Sequence, residues 1–258
     1  MRFVAVGAHP DDIDDSIGGT VSRLAQRGHD IRYLICTDGS KGTPNMAEIA
    51  GLAAVRQEEQ RAAAAALGAG PVYFLDYIDG ELAPSLGLRR DIVRVMRMVQ
   101  PDVVLAWDPA SYWIGDIIIN HSDHRVAGQE TLDAVYPAAG HATMFPELGL
   151  PTASVQELWL YGSNHPTVFV DIESEFPQKL HALSCHASQG YGDQSVLNHW
   201  LRDATAWVGR DFANPITARH REHPEFIETF RRIKLNPASG AVEDLQPCHE
   251  LHTQHEWD

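Results

Sequence analysis

The sequence predicts an α/β fold in which a mostly parallel sheet carries helices on both faces. Short apolar runs of strand length alternate with segments whose apolar residues recur at helical spacing. The connections between them are short and contain glycine, proline and aspartate, which favour turns. Strands that alternate with helices in this way pair in parallel through right-handed crossovers, so helices cover both faces of the sheet.

Four apolar runs in the first half of the chain have the length and composition of buried strands. Ligands of parallel sheets bind beyond the carboxyl ends of the strands. The loops that follow the first, second and fourth runs should therefore lie on one rim of the sheet. The predicted strands are Arg2 to Val6, Ile31 to Cys36, Val72 to Leu75 and Val103 to Trp107.

A helix is predicted after each of the first three strands, and a glycine or a proline ends each helix. The second of them is rich in alanine, glutamate, glutamine and arginine, all of which favour helix. The predicted helices are Ile17 to Arg27 before Gly28, Glu48 to Leu67 before Gly68, and Leu88 to Val99 before Pro101.

Beyond the fourth strand the pattern loosens. A long loop is predicted from Asp108 to Asn120, followed by a helix after Asp123. Residues 1–234 are expected to form a single domain, and the tail 235–258, which has no periodicity, is expected to be partly disordered. The other expectations for this half are strands over 156–161 and 167–170, helices over 175–185 and 196–207, and an irregular stretch over 137–151.

Composition narrows the classes of partner. The formal net charge of -15, from 20 Lys and Arg against 35 Asp and Glu, argues against a nucleic acid or an anionic membrane, since both need clustered basic residues. The apolar runs are too short to span a bilayer. The first residues lack the apolar region and cleavage site of a signal peptide, so a cytoplasmic protein is expected. The 3 cysteines are far apart in sequence and form no CxxC pair, which is typical of reduced thiols.

Residues 8–15, AHPDDIDD, follow the first predicted strand and hold four carboxylates after a histidine. Two such charges about 4 Å apart repel by roughly 4 kcal/mol at an effective dielectric of about 20. A cation is therefore expected in this loop. For Asp14 and Asp15 a role as first-turn acids of the following helix is the simpler interpretation, because carboxylates there complement the helix dipole.

A second dense cluster, NHSDHR at residues 120–125, lies on the same predicted rim. His9, Asp12 and His124 can together supply the nitrogen and carboxylate ligands of a catalytic zinc site, which keeps one position open for water. Histidine ligands favour zinc over magnesium, which prefers oxygen ligands.

The neighbours of these ligands have the chemistry of catalytic groups. Asp11, beside the ligands, is the candidate general base that takes a proton from the attacking water. His121 is the candidate group to protonate a leaving group or to stabilise an oxyanion. The chain contains no G-x-G-x-x-G loop, no P-loop, no G-x-S-x-G elbow and no H-E-x-x-H helix.

These motifs resemble those of the LmbE/PIG-L family of zinc-dependent N-deacetylases. The resemblance spans roughly residues 2 to 130 and extends towards residue 190. The paired AHPDD and HxDH motifs are its specific part. The matching segments are Ala8 to Asp12, Gly18-Gly19, Thr37 to Gly39, Arg56 with Glu59, Leu67-Gly68, His121 to His124, and Lys179 with His186 to Gln189.

The resemblance implies a Rossmann-like sheet that holds zinc and an enzyme that hydrolyses the acetamide of an N-acetylglucosamine moiety. By motif position it implies that Asp123 orients His121. It implies further that Arg56 reaches the substrate and that His186 lies near the pocket. A salt bridge for Arg56 and a structural hydrogen bond for His186 remain equal alternatives. Iron(II) would fill the same ligand set as zinc.

The resemblance leaves the substrate and the assembly open. The loop from Asp108 to Asn120 carries aromatic and apolar residues that could stack on a sugar, pack against an aglycone or bury a contact in a homo-oligomer. A small amino sugar or its conjugate is the expected partner. The rival functions are a metal-dependent phosphoesterase, which would often need two metals, and a non-catalytic carbohydrate-binding protein.

Overall fold

The computed structural model describes residues 1–43, 45–46, 49–114, 118–193 and 226–236. Its strands, in chain order, are β1 Arg2–Gly7, β2 Asp30–Thr37, β3 Val72–Tyr77, β4 Val103–Trp107, β5 Trp113–Ile114, β6 Ile118–Ile119, β7 Glu157–Tyr161, β8 Val168–Asp171 and β9 Ile227–Lys234. Its α-helices are α1 Asp12–Gln26, α2 Ile49–Ala66, α3 Leu86–Val99, α4 Ser122–Asp133 and α5 Phe176–Ser184.

Seven strands form one sheet in the order β3-β2-β1-β4-β7-β9-β8. The first five of these pair in parallel, while β9 runs antiparallel to both of its neighbours. Gly7 pairs with Ile35, and Ala5 pairs with Leu105. The carboxyl ends of β1, β2 and β4 therefore share one rim, as the sequence predicts.

Side-chain alternation along the central strands builds a core on each face of the sheet. Phe3 and Ala5 pack with residues of α1, α2 and α5, whereas Val4 and Val6 pack with residues of α3 and α4. The predicted mostly parallel α/β sheet with helices on both faces is thus confirmed. Residues 1–234 as a single domain remain a prediction.

Strand β9 lies between β7 and β8 and was not predicted. Its sequence, IETFRRIK, carries too many charges to read as a buried strand. Arg232 offsets this by forming two hydrogen bonds, of 2.8 and 2.6 Å, to the fully buried carboxylate of Glu157 on β7. A cross-strand ion pair of this kind leaves no local pattern in the sequence.

The predicted loop from Asp108 to Asn120 contains the short antiparallel pair β5 and β6. At the end of the loop the Asn120 backbone N–H donates to the Tyr112 carbonyl at 3.0 Å, and its side-chain amide donates to the Ser111 carbonyl at 2.8 Å. The predicted helix 196–207 and most of the predicted tail lie outside the described residues. No helix in the described ranges is long and apolar enough to cross a membrane.

Helix α1 bends at Ile17, whose φ and ψ of -139° and 18° are not helical. The bend frees backbone N–H groups that an unbroken helix would satisfy internally. Gly19 and Thr20 donate theirs to the carboxylate of Glu228 on β9, at 2.9 and 2.7 Å. The buried Lys179 of α5 donates to the same carboxylate at 2.6 Å. The glycine pair of the sequence motif therefore lies where α1, α5 and β9 meet.

Candidate metal centre and active site

Asp12 begins helix α1 directly beyond β1, and its two carboxylate oxygens have different surroundings. Oδ2 accepts hydrogen bonds from the backbone N–H groups of Ala8 and His9, at 2.7 and 2.9 Å, and from Nε1 of Trp107 at 3.0 Å. Oδ1 faces the rings of His9 and His124. Burial would raise the pKa of Asp12, but the two histidines outweigh it and hold the pKa well below its usual range.

Three ligand atoms from the two sequence clusters form a compact triangle. His9 Nδ1 lies 3.2 Å from His124 Nε2 and 3.5 Å from Asp12 Oδ1, and the last two atoms are 3.1 Å apart. Tetrahedral ligands about 2.05 Å from a zinc ion are about 3.3 Å from one another. The three side chains expected to bind metal are thus brought together at separations that fit a zinc ion.

Both histidines are oriented by a partner on their second ring nitrogen. His9 Nε2 lies 3.3 Å from carboxylate oxygens of Asp79 and of Asp123, and His124 Nδ1 lies 2.9 Å from Oδ1 of Asn120. Because these oxygens accept hydrogen bonds, they favour a hydrogen on the nitrogen that faces them, and in the neutral ring the other nitrogen then has its lone pair directed into the triangle. Metal-binding histidines are characteristically held by such outer partners.

Three carboxylates, those of Asp12, Asp79 and Asp123, lie beside the ring of His9. Burial lowers the pKa of its ring, but the charge of Asp12 and the hydrogen bonds that the carboxylates of Asp12, Asp123 and Asp79 accept from the ring raise it well above its ordinary value. The carboxylates thus favour a positive charge at this position, supplied by a proton or by a metal ion.

The ring of His124 is also held in place by stacking on Trp107, with ring centroids 4.0 Å apart and planes 7° apart.

Asp11 adopts a left-handed backbone conformation with φ of 104°, which is unusual for any residue but glycine. Its backbone N–H donates to the Gln60 side chain at 2.9 Å, and its carboxylate accepts from Arg56 at 3.2 Å. Burial raises the pKa of Asp11 to about 7, and Arg56 opposes that rise. A carboxyl group that titrates near neutral pH is suited to general base catalysis.

Arg56 joins the loops of the rim. Its guanidinium donates to the carbonyl groups of Gly39 and Pro10 as well as to Asp11, and it lies 3.7 Å from Asp79. The side chain is 3% exposed. Arg56 therefore forms a salt bridge with Asp11, one of the two alternatives expected for it, and it also lines the cavity.

His186 lies deeper than Arg56. Its ring is fully buried, and Nε2 lies 2.9 Å from Oδ2 of Asp14. This is the structural hydrogen bond considered for it. Direct contact with a substrate would require the ring to be uncovered.

His121 precedes α4, and its Nδ1 accepts a hydrogen bond from the Asp123 backbone N–H at 3.1 Å. Its Nε2 therefore carries the ring hydrogen. Burial and the nearby rings of His9 and His124 lower the pKa of His121, although Asp123 opposes the shift. The Asp123 carboxylate is 4.0 Å from His121 Nδ1 but 3.3 Å from His9 Nε2, and it also accepts from the Gly80 N–H at 2.7 Å. It contacts His9 more closely than the ring it was expected to orient.

Sequence reasoning missed two functional partners, Asp79 and Asn120. Asp79 follows β3 in the segment Asp-Tyr-Ile-Asp-Gly, which resembles an ordinary turn. Its place beyond the end of a predicted strand is the signal that could have marked it. Asn120 adjoins the HxDH motif, where its amide could have been considered as a partner for His124.

The triangle opens into a cavity of about 350 Å³, within the range of small-molecule sites. Asp11 and His121 line it beside the three ligand residues. Its wall also includes Asp15 and Tyr191. The arrangement can hold one metal ion with a general base and a neutral hydrogen-bond donor at the same cavity.

The chain is similar to known proteins in sequence and in fold. The profile of the family described as PIG-L, GlcNAc-PI de-N-acetylase, matches residues 4–135, which include both sequence clusters. The diacetylchitobiose deacetylase of Thermococcus kodakarensis is 36% identical over 216 residues, which cover 81% of this chain and 78% of that protein. The 1D-myo-inositol 2-acetamido-2-deoxy-alpha-D-glucopyranoside deacetylase of Rhodococcus erythropolis is 30% identical over 237 residues, covering 73% and 81%.

A solved structure shares the fold over most of its length. The N,N'-diacetylchitobiose deacetylase from Pyrococcus horikoshii, in complex with its inhibitor MPG, superposes with a TM-score of 0.77 and 29% sequence identity. The alignment covers 90% of this chain and 84% of that chain. The similarity thus extends across the sheet and beyond the region matched by the family profile.

Proposed function

The chain belongs to the PIG-L family, and from this premise we propose that it is a metal-dependent hydrolase that removes the N-acetyl group from an N-acetylglucosamine-type amino sugar or conjugate. The relatives named above are deacetylases of such substrates. The observation that carries the proposal is the triangle of His9 Nδ1, Asp12 Oδ1 and His124 Nε2, with edges of 3.1 to 3.5 Å. Zinc fits these donors, and iron(II) is the alternative ion.

In the proposed site His9, Asp12 and His124 hold the ion. Zinc bound there would polarise the amide carbonyl and lower the pKa of water to about 7. The outer partners keep the ligand nitrogens turned towards it: Asp79 and Asp123 do so for His9, whereas Asn120 does so for His124. Orientation of the histidine rings therefore accounts for the two carboxylates and the amide beside them.

The proton transfers fall to Asp11. Its carboxylate takes a proton from the attacking water, and the protonated group then gives that proton to the departing amine nitrogen. Acetate and a free amino sugar are the products. Arg56 stabilises the ionised form of Asp11 before the reaction, since their nearest charged atoms are 3.2 Å apart.

His121 is proposed as the donor to the oxyanion. Its Nδ1 is occupied by the Asp123 backbone N–H, which leaves the hydrogen on Nε2. Its lowered pKa keeps the ring neutral near pH 7, and a neutral N–H can stabilise an oxyanion without giving up a proton. Of its two expected roles, oxyanion stabilisation is therefore favoured over general acid catalysis.

The proposal is tested by metal content and amine release on matched variants. We expect about one zinc or iron per chain and release of amine from N-acetylglucosamine or a conjugate. Asp11→Asn should keep the metal and lose about 10²- to 10⁴-fold in turnover, the usual contribution of a general base, whereas His9→Ala should lose the metal. Glu58→Gln, which removes a carboxylate that is 77% exposed, is the control for loss of charge.

The outcomes separate the alternatives. Full activity in Asp11→Asn would refute the assignment of the base. Two metals per chain would favour a phosphoesterase. One metal per chain with no hydrolysis of N-acetylglucosamine or of any conjugate tested would favour a carbohydrate-binding protein.

A further inference from the structure

Among the residues that the structure describes, four carboxylates and two cationic side chains line the cavity. The acidic residues are Asp11, Asp12, Asp15 and Asp79, and the basic residues are Lys41 and Arg56. Three of these carboxylates have roles in the proposed site, as base, ligand and partner of a ligand. Asp15 has none there. It lies in the first turn of α1, as expected, where a carboxylate complements the helix dipole, but this does not account for its place in the cavity wall.

The position of Asp15 follows from the start of helix α1. Its backbone N–H donates to the Asp11 carbonyl at 2.9 Å, the spacing of one helical turn. Residues four apart lie on the same helix face, about 5–6 Å apart at their Cβ atoms. The Asp15 side chain therefore lies about one helical turn beyond the proposed base, and both side chains line the same cavity.

Within the part of the chain that the structure describes, no side chain or backbone group hydrogen-bonds to the Asp15 carboxylate, although the charge of Lys179 acts on it. The nearby cations have other acids as direct partners. Lys179 donates to Glu228 at 2.6 Å, Arg56 contacts Asp11, and Lys41 donates to Glu81 at 2.6 Å.

Asp15 is charged under ordinary conditions. Burial raises its pKa to about 6, with Lys179 opposing the rise and neighbouring carboxylates adding to it. The ionised form thus prevails at neutral pH.

We propose that Asp15 makes the cavity selective for the charge of the substituent carried by the amino sugar, favouring a cationic amine and disfavouring an anionic group. The proposal rests on the proposed function and names its substrate class: amino-sugar conjugates without a carboxylate or phosphate next to the reacting ring, with a preference for those that bear a second, protonated amine. A cation at this position would meet the one cavity carboxylate that the metal centre does not use.

The test compares three glycosides of N-acetylglucosamine that differ in charge and little in size: aminoethyl, hydroxyethyl and carboxymethyl. Acetate release measures kcat/KM for each, because free amine in the first substrate would obscure an amine assay. For the unmodified protein we expect kcat/KM for the aminoethyl glycoside to exceed that for the carboxymethyl glycoside about tenfold, because attraction of the amine and repulsion of the carboxylate by Asp15 each contribute about threefold at about 6 Å in a hydrated site.

Asp15→Asn should reduce this ratio to about one while kcat/KM for the neutral glycoside changes little. The matched control, Glu58→Gln, removes one carboxylate outside the cavity and should leave the ratio unchanged. Equal rates for the charged glycosides in the unmodified protein, or a ratio that survives in Asp15→Asn, would overturn the proposal and leave the deacetylase function standing.

Two further outcomes are distinguishable. If the neutral glycoside and free N-acetylglucosamine both release no acetate, the proposed function fails and the selectivity proposal falls with it. If Asp15→Asn is folded but inactive on the neutral glycoside, Asp15 acts in catalysis rather than selection, which also overturns the proposal. Asp15→Ser provides the same comparison of ratios should the asparagine variant not fold.

Discussion

Gly19→Ala should destabilise the protein although alanine favours helix. A Cβ atom at this position would lie 2.7 Å from both Cβ and Cδ1 of Ile172 and 2.8 Å from its Cγ2. Ile172 is fully buried, and its backbone N–H donates to the backbone carbonyl of Phe226 at 3.0 Å. Because the closest contact is to the root of that side chain, a change of rotamer cannot relieve it.

The magnitude follows from two opposing effects. Alanine is better than glycine in a helix by about 1 kcal/mol. Overpacking a core costs about 1–3 kcal/mol, and contacts below 3.0 Å to three atoms of Ile172 place this case in the upper part of that range. We expect the free energy of unfolding of Gly19→Ala to fall by about 1–2 kcal/mol.

Gly18→Ala is the matched control. There a Cβ atom would lie 3.3 Å from Cγ of Lys179 and 3.5 Å from Cδ1 of Leu67, which requires only a small adjustment. Its free energy of unfolding should stay near that of the unmodified protein, about 1–2 kcal/mol above that of Gly19→Ala. Urea denaturation followed by circular dichroism, at one fixed metal concentration, measures the difference. A Gly19→Ala variant as stable as Gly18→Ala would refute the packing argument.

Three other outcomes are expected. Chelation should abolish amide hydrolysis and lower Tm, because a metal that binds only the folded chain stabilises it. If the protein stays active once elemental analysis shows that no metal remains, the ligand assignment is contradicted. Burial opposes a charged His186, but the hydrogen bond and charge of Asp14 outweigh it and raise the pKa of His186. The stability that charged His186 contributes is thus full below about pH 6.5 and is lost as pH rises through the raised pKa. The difference in unfolding free energy between the unmodified protein and His186→Gln should therefore shrink from pH 6 to 8. A difference that grows over this range would contradict a raised pKa. Burial raises the pKa of the Cys36 thiol, so alkylation followed by mass spectrometry should label the half-buried Cys185 before Cys36. Equal rates for these two thiols would contradict the burial of Cys36.

The first four strands could be predicted because their signal is local. Each is an apolar run bounded by turn residues. Burial of most of β1, β2 and β4 on both faces removes any need for alternation there, whereas the half-buried edge strand β3 is marked by its apolar residues and flanking turns alone. The two ligand clusters could be placed on one rim for a topological reason, since parallel strands deliver their following loops to the same edge. Strand order was not needed for that inference.

The remaining features depend on contacts between distant segments. Asp79 becomes a partner of His9 only because β3 lies beyond β2 in the sheet, which no local pattern records. Strand β9 is stabilised by Arg232 with Glu157, 75 positions away. The burial of Arg56 likewise results from loops that meet over it, so its motif alone left salt bridge and substrate contact equally open.

Asn120 is only 2% exposed, and it links an exposed loop to the proposed metal centre. Its side-chain oxygen lies 2.9 Å from His124, while its N–H groups close a loop whose Trp113 and Ile119 are 59% and 88% exposed. The tip of that loop can therefore vary in sequence and length during evolution, but its closing residue cannot move without turning a ligand ring. Divergence of specificity in this part of the rim should proceed by changes between residues 112 and 120 that preserve both ends, and a library built for new substrates should keep the same boundary.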